Sequence, residues 1–349
     1  MSFARFMEVA LYCPVYGYYD RETDTVGRRG DFFTSVSVGN LFGEMLAWQL
    51  AKWSAVHEMG QGTPLKWIEA GAHDGRLAGD ILGWLRTRQP EVLERIEYWI
   101  VEPSEVRRGR QEIKLAGFAG KVNWVATVSG LAARGEVDGL IFCNELLDAF
   151  PVHRLGWDAR ARTWFEWGVA FEGGRFVWKR MSADQSCGAA MQPDVAPELA
   201  EVLPDGFTTE ISPAAAQWWR EAAGVLRHGK LLTFDYGMTA EEFLAPHRSE
   251  GTLRSYHRHH LVRDVLDNPG AQDLTAHVNF TAIEAAGLAA GLNTEALQPQ
   301  EKFLTRVAER IWQTPDSFGP WTAAHTRQFQ TLTHPDHLGR AFRVLVQAR

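Results

Sequence analysis

From Lys66 onward, short apolar runs alternate with amphipathic stretches, the pattern of parallel strands joined by crossover helices. Strands are predicted at Lys66–Ala70, Glu97–Glu102, Val122–Ala126 and Leu140–Cys143. A helix over Leu77–Arg88 stops before Pro90, and a polar helix opens at Pro103 and Ser104 and runs to about Ala116. The pattern then changes. Val152–Arg180 alternates aromatic and polar residues around Asp158 and Gly173-Gly174, which predicts antiparallel hairpins. A helix over Pro213–Leu226 leads into a buried strand at Lys230–Asp235, and Phe342–Val346 reads as a last edge strand. Met1–Trp53, helical from Leu41, and the His-, Arg- and Pro-rich stretch Met238–Gly270 fall outside this alternation. Both are expected over the C-terminal edge of the sheet, where long irregular segments act as lids or binding loops.

With 349 residues, 45% of them hydrophobic, the chain can bury a large core in one elaborated domain or two. A net charge of -7 without a long Lys/Arg run argues against nucleic-acid binding. Cys13, Cys143 and Cys187 are widely spaced, which suggests neither a disulfide framework nor a cysteine zinc site and fits a reducing, cytoplasmic setting. No signal peptide or membrane span is expected. Fourteen tryptophans serve mostly as buried anchors, with a few free to line a cleft.

The chemistry is read from the strand ends. After the first strand, Glu69 is followed by a small-residue turn, Gly71 to Gly75, that lets a nucleotide-like ligand approach bare backbone at a helix N-terminus. His73 occupies a position where a third glycine is common. Glu102, at the end of the second strand, is placed to bind ribose hydroxyls. This spacing suits a nucleoside and does not separate NAD from S-adenosylmethionine. The fourth strand ends in CNELLDAFPVH, which brings Asn144, Glu145 and Asp148 to the crevice. His257, His259 and His260 lie in RSYHRHH, which matches no familiar zinc motif, so no metal is expected.

Six segments together resemble the MidA-like class I S-adenosylmethionine-dependent methyltransferases, the family of mitochondrial complex I assembly factors known for methylating a protein arginine. They are ALYCPVYGYYD (10–20), RRGDFFTS (28–35) with LFGE (41–44), the Gly turn, CNELLDAFPVHRL (143–155), LLTFDYG (231–237) and Gly251–Ile283. The resemblance implies an α/β fold, a Rossmann-like seven-stranded sheet with an N-terminal helical lid and inserted antiparallel β-hairpins. It divides the chain into a lid and helical segment (1–60), a core (61–150 and 205–349) with a substrate loop (238–280), and the hairpin insertion (151–204).

It further implies S-adenosylmethionine as cofactor, held by Glu69, Gly71, His73, Gly75, Glu102 and Asn144, with Gly30, Asp31, Thr34 and Ser35 closing over it. Asn144 and Glu145 would face the reacting methyl, and Asp148, Tyr236 and His277 the acceptor. Catalysis is expected from Asn144, Glu145, Asp148 and His277. Two features depart from the family: His73 itself, and SVSVGN (35–40), which lacks the Pro and acidic residue usual after the Thr-Ser pair. The expected acceptor is a protein arginine, with paired carboxylates gripping the planar guanidinium. The alternatives are a small-molecule O- or N-methyltransferase and a noncatalytic assembly protein. A homodimer through the hairpin region is a further expectation, and neither nucleic acid nor membrane is an expected partner.

Overall fold

The computed structural model describes residues 1–20, 34–56, 64–182, 184–188, 192–193, 195–257, 260–262 and 264–349. Gly30, Asp31 and His259 lie outside the described residues, as do the side chains of His257 and His260.

The sheet is built in the order expected of crossover units. Strand β1 (Leu65–Ala70) pairs in parallel with β2 (Ile96–Val101) and β4 (Val137–Asn144), and β3 (Val122–Val125) extends the β2 side. The chain then leaves to form an antiparallel sheet of β5 (His153–Asp158), β6 (Thr163–Glu172), β7 (Arg175–Arg180) and β8 (Thr208–Ile211), in the order β7-β6-β5-β8. The turns fall where expected, after Asp158 and at Gly173-Gly174. The chain returns as β9 (Leu226–Met238), parallel to β4. A small sheet of β10 (Arg254–His257), β11 (His260–Leu261) and β12 (Asp273–Thr275) follows, and β13 (Val278–Asn279) pairs with the end of β9. Finally β14 (Asn293–Pro299) and β15 (Phe342–Ala348) complete the main path β14-β15-β9-β4-β1-β2-β3.

One expectation needs correcting. Phe342–Val346 is not the edge: β15 lies between β9 and β14, antiparallel to both. Its buried apolar run reflects that interior place, whereas NTEALQP of β14 is too polar to stand out as a strand, as suits an edge.

Helices cover both faces of the sheet. Leu41–Val56, Arg76–Arg88 and Gln300–Gln313 share one core with Trp67, Tyr98, Phe142 and Phe234. Pro213–Val225 and Phe280–Ala289 close the other face around Ile68, Ile141 and Leu231. Within the 1–60 segment, residues 41–51 are therefore largely core, while Tyr12, Tyr19, Thr34 and Val36 to Val38 reach the cleft. The helix Phe3–Tyr12 packs through Phe3, Phe6 and Met7 against the hairpin sheet and the loop carrying Leu266 and Leu274. No helix among the described residues is long and apolar enough to cross a membrane.

Candidate functional site

A cleft of about 1920 Å³ opens at the C-terminal ends of β1, β2, β4 and β9. One half is built by the glycine turn. Gly71 (φ 73°) and Gly75 (φ 82°) both lie in the left-handed region, and Gly75 caps the helix Arg76–Arg88. His73 takes φ 47°, which explains why glycine is common there and makes the histidine a strained substitute. Its side chain is 36% exposed, with Nδ1 4.0 Å from Asp74 Oδ1. His73→Gly is expected to leave stability unchanged or to raise it by up to about 1 kcal/mol, read from the denaturant midpoint.

Glu69 is buried at the end of β1, accepts a 2.6 Å hydrogen bond from the Tyr98 hydroxyl, and is pushed by burial up to about 8. Glu102 is also buried and already engaged. Its Oε1 accepts from the Ser104 amide (2.9 Å) and faces Arg107 Nη2 (3.1 Å), and its Oε2 accepts from Gln111 (3.1 Å).

Gln111 was not anticipated. It sits on a helix whose sequence reads as solvated, yet it is completely buried. Its Nε2 lies within donor reach of the His73 carbonyl (2.9 Å) as well as Glu102, and its Oε1 accepts from the Trp124 indole (3.0 Å). One amide thus clamps the glycine turn to the acid of the second strand. Gln111→Leu is expected to cost about 1–3 kcal/mol by stranding these partners, and to weaken S-adenosylhomocysteine binding, read by melting with and without that ligand.

The other half of the cleft is acidic and aromatic. Glu145 takes φ 52°, an uncommon conformation for a residue with a side chain, and its Oε1 accepts from Asn144 Nδ2 (2.9 Å) and the Ser35 amide (3.2 Å). Burial, then Asp148, pushes Glu145 up to about 8. Asp148 is held well above the carboxylate range by burial and by Asp235 and Asp273. Asp235, raised by burial to about 8, accepts the amides of Leu146, Leu147 and Tyr236 and so shapes the turn that presents Asn144 to Asp148. Asp273 is buried and accepts from the Tyr19 hydroxyl at 2.8 Å. Tyr12, whose hydroxyl donates to the Ala149 carbonyl (2.8 Å), lines the same wall with Tyr236 and Tyr256.

Neither Asp235 nor Asp273 was a candidate from sequence, although both lie in segments carrying the family resemblance. His277 is where it was expected, lining the cleft. Burial and then Arg254 and Arg248 push it down to about 4, and its buried Nδ1 has no hydrogen-bond partner among the described residues. Thr34 and Ser35 open a short helix, Thr34 as its cap; Ser35 is buried and donates from Oγ to Gln300 Oε1 (3.1 Å). Trp218 is the tryptophan that reaches the cleft wall.

The residues fit a nucleoside with a charged tail. Bare backbone lies at Gly71, and the buried Asn144 Oδ1 has no partner among the described residues and can accept from a bound group. A family model described as "Putative S-adenosyl-L-methionine-dependent methyltransferase" matches residues 45–298. The human mitochondrial protein arginine methyltransferase NDUFAF7 is 28% identical over 80% of this chain and 64% of its own length, and the mouse protein matches similarly. The chain thus spans less than two thirds of those relatives. The Drosophila melanogaster homologue is 27% identical over 98% of this chain and 80% of its own. A Burkholderia thailandensis crystal structure, described as a "likely methyl transferase" bound to S-adenosyl-homocysteine, is 30% identical with TM-score 0.81, covering 100% of this chain and 88% of that one.

These relatives correct the cytoplasmic expectation, since the human, mouse and fly proteins are named mitochondrial. Three unpaired cysteines do not single out the cytosol. The matched span and the cleft at the strand ends agree, and the chain belongs to the S-adenosylmethionine-dependent methyltransferase family.

Proposed function

We propose that this chain transfers a methyl group from S-adenosylmethionine to the guanidinium of a protein arginine. The observation that carries this reading is the carboxyl cluster of Asp148 and Asp273, both buried, and Glu145, partly buried, beside a tyrosine wall and next to the glycine turn. A planar cation with several N–H donors matches that cluster, and aromatic faces favour it further. The naming of the human and fly relatives as protein arginine methyltransferases supports it.

In this reading the Gly71 to Gly75 turn, Glu69, Glu102 and Asn144 hold the cofactor, with Ser35 and Gln111 fixing Glu145 and Glu102. When bound, S-adenosylmethionine supplies a methyl already activated on a sulfonium, so alignment and water exclusion are the chief demands on the protein. Asp148 and Asp273 offer oxygen acceptors to the guanidinium N–H groups. Methylating a guanidinium nitrogen leaves one proton to remove, and Glu145 takes it in its ionised form, so activity is expected to rise as pH approaches about 8 and that form becomes populated. His277, being neutral, orients an N–H of the acceptor through Nδ1.

The test is methyl transfer from labelled S-adenosylmethionine to matched peptides carrying arginine or lysine at the same position. Label on arginine alone is expected. Label on lysine, or only on small hydroxylated or amino compounds, would replace the arginine assignment.

A further inference from the structure

The insertion carries a second cluster that the transferase reading does not use. His153 opens β5 and Glu166 lies on β6 opposite Leu155, so the two are diagonal neighbours on one face of the hairpin. The segment following β7 brings in Cys187, whose amide donates to Glu166 Oε2 at 2.5 Å. His153 Nδ1 is 2.7 Å from Glu166 Oε1, and one donor atom from each of the three residues lies within 4.8 Å of the others. The Glu166 side chain is fully buried and that of His153 is 22% exposed. A strand histidine, a buried carboxylate and a cysteine have thus been gathered from three separate parts of the chain, although no sequence spacing announced them.

We propose that His153, Glu166 and Cys187 bind a divalent transition-metal ion, zinc being the ion they fit best. An imidazole nitrogen, a carboxylate oxygen and a thiolate form a borderline donor set, which selects zinc over calcium or magnesium. Tetrahedral zinc places its donor atoms roughly 3.3–3.8 Å apart, so the ion inserts by opening the His153–Glu166 contact and drawing in the Cys187 sulfur. Binding ties Cys187 to the hairpin sheet. Three protein donors leave a fourth position for water, and His153 also lines the main cleft. This site does not depend on the methyl-transfer reading.

The test is a cobalt(II) titration of the full chain after chelator treatment. The expected result is a thiolate-to-cobalt charge-transfer band that saturates at one equivalent and is erased by added zinc. Cys187→Ser is expected to abolish the band, Cys13→Ser to leave it unchanged, and His153→Ala to weaken binding by about tenfold or more. Far-ultraviolet circular dichroism of each variant checks that the fold persists. Because His153→Ala removes a different donor, the test survives misfolding of the cysteine variant. Absence of the band, or a band that persists in Cys187→Ser, would reduce the cluster to a His–Glu ion pair and overturn the proposal.

Discussion

Glu145→Gln is expected to lower methyl transfer by about 10²–10⁴-fold, the usual loss when a positioned proton acceptor is removed, while the folded protein persists. The substitution keeps a carbonyl oxygen where Oε1 accepts from Asn144 and Ser35, so the local frame stays closed. It removes the group that burial and Asp148 raise to about 8. Above that value the wild-type side chain is charged among other acids, and the variant is not. The melting temperature at pH 9 is therefore expected to rise as activity falls, a pairing that a merely structural glutamate would not give. Loss of stability together with activity would remove Glu145 from its proposed role.

The same carboxyl groups set how stability responds to pH. Glu69, Glu145 and Asp235 stand at about 8 in the folded chain, each raised mainly by burial, against about 4 in an unfolded one. Between those values the folded state holds protons that the unfolded state has released. Stability is therefore expected to fall as pH rises through the window from about 4 to about 8, by several kcal/mol in order of magnitude. This is the opposite of a chain whose acids are held low by salt bridges. Glu69→Gln keeps an acceptor for the Tyr98 hydroxyl and is expected to flatten the slope, since it removes one such group. Denaturant unfolding at pH 5, 7 and 9 reads both effects. A stability that rises across that range would show these carboxylates to be ionised in the folded protein.

What the sequence made legible follows from periodicity and from turn chemistry. Apolar runs such as WIEA and YWIV can only be buried strands between covered faces, and the glycines at 71 and 75 sit where the backbone takes positive φ. The strand β14 stayed hidden because an edge strand needs no apolar run. Asn144, Glu145 and Asp148 could be placed because they follow directly on a buried strand.

Gln111 and Asp273 could not, for a different reason: each acts through a tertiary contact. Gln111 meets the glycine turn from another helix, and Asp273 meets Tyr19 from the far end of the chain. The grouping of His153, Glu166 and Cys187 depends on hairpin register, which only the folded chain fixes.

The central claim is that this cleft holds the cofactor against the Gly71 to Gly75 turn. Calorimetric titration of the full chain with S-adenosylhomocysteine tests it most directly. Saturable binding of one ligand per chain is expected, weakened by Gln111→Leu and retained by Glu145→Gln. Absence of binding by wild type, or binding indifferent to Gln111, would contradict it.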